Sequence, residues 1–471
     1  MKVIDSHYID GSWRAAESAD RIQVINPTSE EVMGGVPAGT PQEVDHAAGA
    51  ASSAFETWSA VPVTERVTLL RAVAAGLSER SEEAAQTLTA EIGCPLSFSR
   101  SMQAPSAAYM FLMAVDCAEQ FQYKRKLTES MIIREPFGVV GAITPWNFPF
   151  LQVCGKTAMA LAAGCTVVAK PSEVAPMTAI LLAEVIDAIG LPPGVFNLVN
   201  GTGPVVGEAI ATHPLIDFVT FTGSTRTGRR ISELAASTIK RVALELGGKS
   251  ACVILDDADL QAAVTSGVND CYSNSGQMCT ALTRMLIPRN RLGEAEFIAA
   301  KVTESHVVGD PSDLATTIGP LVSATQLERV RGFVDSGLAE GARLVTGGTQ
   351  PPAGITRGYF TRPTVFSDVR PGMRIEQEEI FGPVLSLIPY DTEDQAIRIA
   401  NDTAYGLSGA VWSGNTAHAD AVARRLRTGQ VSINGASPSL STPTGGYKQS
   451  GIGRELGPIG FEEFLEIKAV S

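Results

Sequence analysis

A regular alternation of short apolar segments with helical segments begins after Arg134 and constrains the fold more than any other feature. The apolar segments are rich in Val, Ile, Phe and Thr, which favour β-strands, and they lie at residues 139–143, 166–169, 195–199, 218–221 and 242–244. Segments with helical character lie between them, at residues 177–189, 205–211 and 228–236. Because strands joined through helices form right-handed crossovers, this alternation predicts a parallel sheet in an α/β protein.

The regions on either side of this alternation predict further elements. Residues 41–120 carry apolar groups at helical spacing, such as Val44, Ala48 and Ala51, and are predicted to be helices. A second α/β series starts after Ser250. It comprises strands at 251–255 and 342–346, helices at 259–268, 297–302 and 325–339, and a Pro- and Gly-rich loop at 349–358. A single alternating strand at 124–134 and a tail at 461–470 are predicted to be peripheral elements.

Size and charge limit the class of protein. A chain of 471 residues is too long for one ordinary domain, and its 44% hydrophobic content is that of a globular protein with a large core. The net charge of −13 argues against a nucleic-acid partner and against an anionic membrane surface, since both would repel it. The first residues lack the apolar run of a signal peptide, and no apolar stretch suits a bilayer span. We therefore expect a cytoplasmic protein with no membrane or nucleic-acid partner.

One of the seven cysteines differs from the others. Cys279 lies in the polar run Asn-Ser-Gly-Gln-Met-Cys-Thr at 274–280, whereas most of the others lie in apolar runs and are predicted to be reduced and buried. No C-x-x-C pair occurs and the five histidines show no H-E-x-x-H spacing, so no metal site is predicted. A thiol in a loop becomes a nucleophile when its pKa is lowered or a base takes its proton. Glu245, in Leu-Glu-Leu-Gly-Gly-Lys at 244–249, is a candidate for that base.

Two loops that follow predicted strands are candidates for binding a dinucleotide. Lys170 and Glu173 follow the strand at 166–169, and Gly223 and Gly228 flank the start of the helix after the strand at 218–221. Open α/β sheets bind ligands at the carboxyl ends of their strands, and the free amides of a helix N-terminus favour phosphate. Glu173 is suited to hold two ribose hydroxyls, with Lys170 as an additional donor. A G-x-x-x-x-G spacing is not specific alone, but two such loops at neighbouring strand ends favour a dinucleotide.

Eight short motifs are spread along almost the whole chain. They are Thr-Pro-Trp-Asn-Phe-Pro at 144–149, Lys-Pro-Ser-Glu at 170–173, Phe-Thr-Gly-Ser-Thr-Arg-Thr-Gly at 221–228, Leu-Glu-Leu-Gly-Gly-Lys at 244–249, Gln-Met-Cys at 277–279, Glu-Glu-Ile-Phe-Gly-Pro-Val at 378–384, Tyr-Gly-Leu-Ser at 405–408 and Gly-Gly-Tyr-Lys-Gln-Ser-Gly at 445–451. In content and order these motifs resemble those of the aldehyde dehydrogenase superfamily.

The resemblance implies an α/β, aldehyde dehydrogenase-like fold in three parts. A parallel-sheet coenzyme domain is expected at 1–117 and 137–247, and an α/β catalytic domain at 248–449. A small oligomerisation element is expected at 118–136 and 450–471, which in the family builds homodimers that often pair into homotetramers.

The resemblance also implies roles around the cysteine. Cys279 resembles the nucleophile that adds to the aldehyde carbon, and Asn147 the amide that stabilises the oxyanion together with the Cys279 backbone N–H. Glu245 resembles the base that activates water to hydrolyse the thioester. Lys156 matches a family lysine near the active site, and a structural ion pair with a carboxylate is an equally weighted interpretation. Glu455 is expected to support the site from outside.

A further implication is that NAD(P)+ serves as the hydride acceptor. Glu379 resembles the residue that holds the nicotinamide ribose, and Phe381 the side chain packed beside it. Glu173 favours NAD because its carboxylate would repel a 2′-phosphate, whereas Lys170 still allows NADP. The residues expected to contact the coenzyme are Ile143, Thr144, Trp146, Lys170, Ser172, Glu173, Gly223, Ser224, Gly228, Leu246, Glu379 and Phe381.

Two positions depart from the common pattern of the family. Gly155 stands where many relatives carry a bulky aromatic residue, and Thr444 replaces a phenylalanine; in those relatives both positions line the substrate funnel. Each missing aromatic side chain would bury about 150–250 Å², so the hypothesis is a wide funnel that accepts a bulky or long-chain aldehyde. The alternative is that Phe148, Phe150 and Leu282 refill the space.

Other functions remain open from the sequence. A CoA-acylating semialdehyde dehydrogenase would share the fold, but relatives of that type commonly lack the base that Glu245 resembles. A catalytically silent structural protein on the same fold is disfavoured by Cys279, Glu245 and Asn147 together. A cysteine hydrolase would need a histidine near Cys279, and the sequence shows no signature of one. The favoured interpretation is an aldehyde dehydrogenase that hydrolyses its thioester.

Overall fold

The structure is a computed structural model that describes residues 2–437 and 439–471. Its largest sheet has eight strands, of which the central ones are parallel and fully buried. In spatial order the strands are Gly451–Ile452, Arg241–Glu245, Phe218–Thr222, Val139–Ile143, Thr166–Lys170, Phe196–Leu198, Ser6–Ile9 and Ser12–Ala15. The predicted α/β fold with a parallel sheet is therefore confirmed.

The order of these strands corrects one prediction. Thr166–Lys170 and Phe218–Thr222 are not neighbours, because Val139–Ile143 lies between them and pairs with both. Among the parallel strands, the one that comes first in the chain is thus central, and later parallel strands are added on either side of it. Ligand crevices form where the strand order reverses in this way. The two predicted dinucleotide loops therefore flank a central crevice and do not adjoin each other.

Alternate residues of the central strands pack on opposite faces of this sheet. Val139 and Ile143 belong to a buried cluster with Val44 of the first helix. Val140 and Ala142 belong to a larger cluster that includes Leu161. The sheet is therefore covered on both faces, as its continuous apolar strands require.

Helices provide that cover. The α-helices are Pro41–Ala60, Val63–Glu79, Ser81–Ile92, Leu96–Phe98, Ala104–Gln120, Pro149–Ala163, Met177–Ile189, Glu208–Thr212 and Thr225–Ala235, with π-helical turns at Ser99–Gln103 and Gly203–Gly207 and a 3₁₀ turn at Ala236–Thr238. The first helix begins with a capping box, in which Thr40 and Glu43 satisfy each other's backbone N–H. The predicted helical segment at 205–211 is confirmed, with the π-helical turn as its first part.

A second sheet has seven strands and carries the rest of the α/β series. In spatial order they are Arg343–Thr346, Thr364–Ser367, Val384–Tyr390, Arg284–Pro288, Ala251–Ile254, Gly409–Trp412 and Ser432–Ile433. The helices around it are Leu260–Tyr272, Leu292–Ser305, Ala324–Ala339, Arg374–Gln377, Glu393–Asn401 and Thr416–Ala423, with 3₁₀ turns at Ser273–Gly276 and Arg289–Arg291. The predicted helices at 259–268, 297–302 and 325–339 are confirmed with wider or shifted ends.

Two three-stranded sheets complete the fold. One contains Lys2–Val3, Glu31–Pro37 and Arg21–Asn26, and the other contains Leu465–Val470, Ser130–Pro136 and Lys124–Leu127. The prediction of a single strand at 124–134 is wrong, because a tight turn folds this segment into a hairpin. The turn residue Thr128 has a φ of +51°, although it is not a glycine or an asparagine. The tail forms a 3₁₀ turn at Lys448–Ser450, a short helix at Gly457–Glu462 and then the strand that joins the hairpin.

Several features are absent from the part of the chain that the structure describes. Within residues 2–437 and 439–471, no helix is both long and apolar enough to cross a membrane. Over the same described residues, no three His, Cys, Asp or Glu side chains are grouped to hold a metal ion. All seven cysteines are free thiols, and six of them are buried as predicted, whereas Cys279 is half-buried.

Candidate active site

One cleft with about 770 Å³ of empty space lies at the carboxyl ends of the strands of the eight-stranded sheet. The strands that end at Thr222 and Glu245 supply one wall, and loops of the second sheet supply the other. The lining residues are Pro145, Trp146, Asn147, Thr222, Gly223, Ser224, Glu245, Leu246, Gly247, Cys279, Gln326, Arg329, Glu379 and Phe381. Nine of the residues predicted from the sequence therefore lie together here: Asn147, Trp146, Gly223, Ser224, Glu245, Leu246, Cys279, Glu379 and Phe381.

The other predicted coenzyme residues lie outside this lining. Lys170 and Glu173 form an ion pair of 3.2 Å between Nζ and Oε2 at the end of the strand Thr166–Lys170. The Gly203 N–H donates to Glu173 Oε1. The Thr144 N–H donates to the Lys170 carbonyl, which joins this group to the central strand. The remaining members are Ile143 at the end of that strand, Ser172, whose Oγ accepts from the Val174 N–H, and Gly228, which packs beneath Leu246.

The segment before Cys279 has an unusual backbone. Asn274, Ser275 and Gly276 all have positive φ angles, of +51°, +57° and +74°. Buried hydrogen bonds hold the two non-glycine residues: Asn274 Nδ2 donates to the Asn147 carbonyl at 3.0 Å, and Ser275 Oγ donates to the Gly319 carbonyl at 3.0 Å. A Cβ on Gly276 would lie 2.2 Å from the Gly382 carbonyl carbon, so only glycine allows this approach. The fold thus places Cys279 on a strained, tightly held loop.

The thiol of Cys279 is not activated by a lowered pKa. Burial, followed by the charges of Glu379 and Glu245, raises the pKa of the Cys279 thiol to about 12. Of the two routes to a nucleophile, removal of the proton by a base is therefore the one that the raised pKa favours.

Asn147 is positioned to stabilise negative charge beside the thiol. Its side chain is buried, and Nδ2 donates one hydrogen bond of 3.0 Å to the Gln277 carbonyl. An amide nitrogen carries two hydrogens, so the second remains for an oxyanion in the cleft. The backbone of Asn147 is also held, since its carbonyl accepts from Gln103 Nε2 and Asn274 Nδ2.

Glu245 ends its strand in a buried, acidic environment. Burial and the charge of Glu455 raise the pKa of Glu245 well above its usual range, although Lys156 and Arg454 act in the opposite direction. A Cβ on Gly445 would lie 2.6 Å from Glu245 Oε1, so the glycine makes room for the carboxyl group. Burial therefore disfavours the carboxylate form of Glu245, which is the form that can act as a base.

Lys156 lies next to Glu245 but does not line the cleft. Its buried Nζ forms an ion pair with Glu455 and donates to Thr220 Oγ1 at 3.0 Å. This contact corresponds to the structural interpretation of Lys156, and it places Glu455 against Lys156, outside the cleft lining. A catalytic role for Lys156 stays a prediction.

Glu379 and Phe381 form the wall opposite the strand ends. The Gly248 N–H donates to Glu379 Oε1 at 2.9 Å, and burial raises the pKa of Glu379 to about 7. Phe381 has a φ of +63°, and its ring meets Trp146 edge to face with centroids 5.3 Å apart. A carboxyl group and an aromatic ring thus face the cleft close to Cys279.

The sequence did not identify Gln326 and Arg329 as part of this cleft. Both come from the helix Ala324–Ala339, where they alternate with the buried residues Leu327 and Val330. Polar residues at such positions are typical of any solvent-facing helix surface, so the sequence carried no signal that distinguished them.

The residues present fit a dinucleotide. Gly223 and Ser224 line the cleft at the start of the helix Thr225–Ala235, where Ser224 Oγ caps the helix by accepting from the Thr227 N–H. Free amides at such a terminus favour phosphate. A Cβ on Gly247 would lie 2.4 Å from Glu379 Oε2, so the absence of a side chain at Gly247 leaves room for the Glu379 carboxyl group.

The structure corrects the explanation given for Gly155. A Cβ at this position would meet Met110 Sδ at 3.3 Å, so a buried methionine already occupies the space that an aromatic residue would need. Gly155 therefore allows two helices to pack closely, and its small size does not widen the funnel. Thr444 is half-buried and its Oγ1 accepts from Gln430 Nε2 at 2.8 Å.

Comparisons with known proteins agree with this geometry. A model of the aldehyde dehydrogenase family matches residues 13–470. A Pseudomonas protein named 3-succinoylsemialdehyde-pyridine dehydrogenase is 51% identical over 100% of this chain and 99% of its own length. A crystal structure of an aldehyde dehydrogenase C mutant from Pseudomonas syringae, complexed with NAD+ and octanal, is 48% identical, with a TM-score of 0.98 over 99% of this chain and 96% of that one.

A third relative is similar over its whole length. The crystal structure of an aldehyde dehydrogenase from Mycobacterium tuberculosis, complexed with NAD+, is 42% identical, with a TM-score of 0.97 over 100% of this chain and 98% of that one. The predicted fold class and the predicted oxidoreductase class are thereby confirmed. The chain belongs to the aldehyde dehydrogenase family.

Proposed function

We propose that this protein oxidises an apolar, bulky or long-chain aldehyde to the carboxylic acid with NAD+, through a thioester on Cys279 that water hydrolyses. The observation that carries this proposal is the convergence of Cys279, Asn147, Glu245 and Glu379 in one cleft. A nucleophile, an oxyanion donor, a base and a ribose-binding carboxylate are the groups that this chemistry requires.

The chain's own residues supply the proton transfers. Once a base removes the proton from Cys279 Sγ, the thiolate adds to the aldehyde carbon, and the new oxyanion accepts hydrogen bonds from Asn147 Nδ2 and the Cys279 N–H. When bound, the coenzyme supplies the hydride acceptor. Glu245 then takes a proton from the water that attacks the thioester, and Cys279 leaves as the thiolate. Each well-aimed oxyanion donor is typically worth about 3–4 kcal/mol.

The choice of NAD+ over NADP+ rests on Glu173. Its carboxylate is ion-paired with Lys170 and accepts from the Gly203 N–H, so it is held at the end of its strand. Burial acts to raise the pKa of Glu173, but the charge of Lys170 and the backbone donors outweigh it and lower the pKa. The carboxylate therefore stays negative. A negative group at the ribose would repel a 2′-phosphate. Both solved relatives described above contain NAD+.

An apolar substrate is supported by apolar side chains next to two residues of the cleft, since Met278 precedes Cys279 and Phe98 packs on Phe148, which follows Asn147. Phe98, Met102 and Met278 are half-buried and pack against the larger core cluster, and the Phe98 ring meets Phe148 edge to face at 6.3 Å. Methionine side chains adapt to substrates of different shape. The Pseudomonas syringae relative binds octanal, and the Pseudomonas relative acts on a pyridine-containing semialdehyde according to its name.

Assembly and location belong to this proposal as well. The sheet formed by the hairpin and the tail exposes Leu127, Ile467 and Val470, and such apolar patches mark protein–protein contacts. We propose that this element, together with the predicted coenzyme and catalytic domains, builds a homodimer or homotetramer in the cytoplasm.

A panel of aldehydes tests the proposed activity. NADH and NADPH formation would be followed with straight-chain aldehydes from two to ten carbons and with aromatic aldehydes. We expect kcat/KM to rise with chain length and to be higher with NAD+ than with NADP+. A clear optimum at two or three carbons would refute the apolar, long-chain assignment, and no turnover with any aldehyde would favour a structural protein.

Replacement of the base separates hydrolysis from CoA acylation. In Glu245→Gln, we expect a burst of about one NADH per site followed by a rate lower by about 10²–10⁴-fold, because the thioester forms but water is not activated. The exposed Glu233→Gln serves as the control. Formation of acyl-CoA on addition of CoA to the wild-type protein, at a rate above that of acid formation, would support the acylating alternative.

A further inference from the structure

The helix Ala324–Ala339 contacts both loops that carry the reacting groups. Just before it, the Val322 N–H donates to Gln277 Oε1 at 2.9 Å, which fixes the loop that ends at Cys279. From its side, Gln326 Nε2 donates to the Phe381 carbonyl at 2.6 Å and to the Ile380 carbonyl at 3.3 Å. One element therefore holds the nucleophile loop and the loop that faces it.

Arg329 extends these contacts along the same loop. Its Nε donates to the Ile380 carbonyl at 3.4 Å and its Nη2 to the Glu379 carbonyl. The guanidinium lies 5.1 Å from the centre of the Phe333 ring, which orients it. Gln326 and Arg329, which we call the carbonyl clamp, thus bind three successive carbonyls, those of residues 379–381.

The clamped loop has no regular secondary structure to hold it. Phe381 has a φ of +63°, a conformation that costs an aromatic residue energy and persists only when surrounding contacts enforce it. Gly382 packs against Val330 of the helix on one side and against Gly276 of the cysteine loop on the other. A shift of this loop would therefore move Glu379, Phe381 and the Cys279 loop together.

We propose that Gln326 and Arg329 are positioning residues for hydride transfer. They fix the backbone of residues 379–381, so that Glu379 and Phe381 keep the coenzyme in register with the carbon bound to Cys279. This inference rests on the proposed function, because it concerns the hydride step of that reaction. Displacement of reacting groups by about 1 Å costs up to about 10²-fold in rate, which sets the size of the expected effect.

The main alternative for Arg329 is simple charge attraction for the coenzyme phosphates. The two roles differ in what they require. A clamp needs the planar fork of arginine to reach two carbonyls, whereas charge attraction is served equally by lysine. The uncharged Gln326 matters for a clamp and not for charge attraction.

The test compares Arg329→Lys, Gln326→Met and the control Glu328→Gln, an exposed residue of the same helix. Single-turnover NADH formation would be measured with ordinary and C1-deuterated aldehyde, together with the NAD+ dissociation constant by calorimetry and the melting temperature. We expect both clamp variants to slow NADH formation by about 10–100-fold with a full deuterium isotope effect. The control should match the wild type, and all melting temperatures should agree within a few degrees.

A wild-type rate in Arg329→Lys would overturn the proposal. So would an effect confined to Arg329 variants and expressed only as weaker NAD+ binding. The near-UV circular dichroism of Trp146, isolated by subtraction of a Trp146→Phe spectrum, tests the clamp without any aldehyde. We expect both clamp variants to change this signal, because Phe381 packs on Trp146. If the wild type oxidised no aldehyde, the proposed function would fail, whereas an unchanged Trp146 signal would overturn the clamp.

Discussion

The two walls of the cleft are built in different ways. The helix side consists of the strand Phe218–Thr222, the turn at Gly223 and the helix Thr225–Ala235, which are regular elements with an ordinary serine cap. The loop side consists of residues 274–279 and 379–381, where Asn274, Ser275 and Phe381 adopt left-handed backbone angles. The comparison indicates that the wall for coenzyme phosphate uses generic strand–helix geometry, whereas the wall for bond breaking stores strain.

The two parts of the site also differ in the charge of their carboxyl groups. Glu173, at the end of the strand beyond the central one, has a pKa below its usual range because the charge of Lys170 and backbone donors outweigh burial. On the loop side, burial raises the pKa of Glu379 to about 7. The Glu173 carboxylate therefore keeps its negative charge near neutral pH, whereas Glu379 titrates in that range.

The largest effect is expected on the loop side, at the nucleophile itself. Cys279→Ala should lower kcat/KM by about 10⁴-fold or more, since loss of a covalent nucleophile removes the main reaction path. NADH formation with the best aldehyde of the panel measures it. Cys117→Ala, which removes another free thiol, should keep wild-type activity. Equal losses in both variants would contradict the assignment of Cys279.

The next largest effect tests the strained backbone. Gly276→Ala should lower the single-turnover rate by about 100-fold and lower the melting temperature, because the Cβ would lie 2.2 Å from the Gly382 backbone and φ is +74°. Gly332→Ala is the matched control, since nothing lies within 4 Å of its added Cβ in the middle of a helix. That control should gain about 0.5–1 kcal/mol of stability. An active, stable Gly276→Ala protein would show that the loop is not strained.

The pH dependence of stability should separate the two carboxyl groups. The folded pKa of Glu379, about 7, lies above its usual 4.5, so its contribution is fully present below pH 4.5 and is lost as pH rises through 7. The folded pKa of Glu173 is lowered, so its contribution is present above pH 4.5 and is lost as pH falls through the folded value. Urea unfolding of Glu379→Gln and Glu173→Gln across pH 3–8 measures both. If the unfolding free energy changed with pH in the same way in both variants, the proposed difference between the two carboxyl groups would be wrong.

The smallest effect is expected on the helix side. Ser224→Ala removes a helix cap and should cost about 1 kcal/mol of unfolding free energy. The KM for NAD+ should rise only a few-fold, because the backbone amides of the helix remain in place. Thermal unfolding and coenzyme titration measure the two quantities. A loss of activity as large as that of Gly276→Ala would show that this wall is no more tolerant than the other.

The regular parts of this molecule were predictable from the sequence. The strand Val139–Ile143 and the helix Met177–Ile189 were predicted with their observed ends, because their apolar residues follow the periods of a strand and a helix. The hairpin at 124–136 was missed because its turn, at Thr128, lacks the Asn-Gly or Gly residues that usually mark one. The spatial order of the strands could not be predicted, because the apolar pattern of each buried strand is the same whatever its position in the sheet.

In the candidate site, too, some features could be predicted from the sequence and others could not. Cys279, Glu245 and the glycine motifs were identified because each residue type carries recognisable chemistry, whereas Asn147 was identified only through the resemblance to the family. The left-handed angles at Asn274 and Ser275 were not, because distant groups such as Asn147 and Gly319 enforce them. Gln326 and Arg329 act through backbone carbonyls, which leave no trace in the sequence. The roles assigned to individual residues remain predictions for the experiments above.

The edge strand Gly451–Ile452 has a consequence for how the protein folds. It pairs with Leu244 and Glu245, and Ser450 Oγ donates to the Gly247 carbonyl, 203 positions away along the chain. All of the seven-stranded sheet is synthesised between these partners. Contacts between such distant segments form late, and chains fold from the N-terminus as they emerge. The environment of Glu245 is therefore completed near the end of folding, so a chain that lacks its last segment also lacks a finished base.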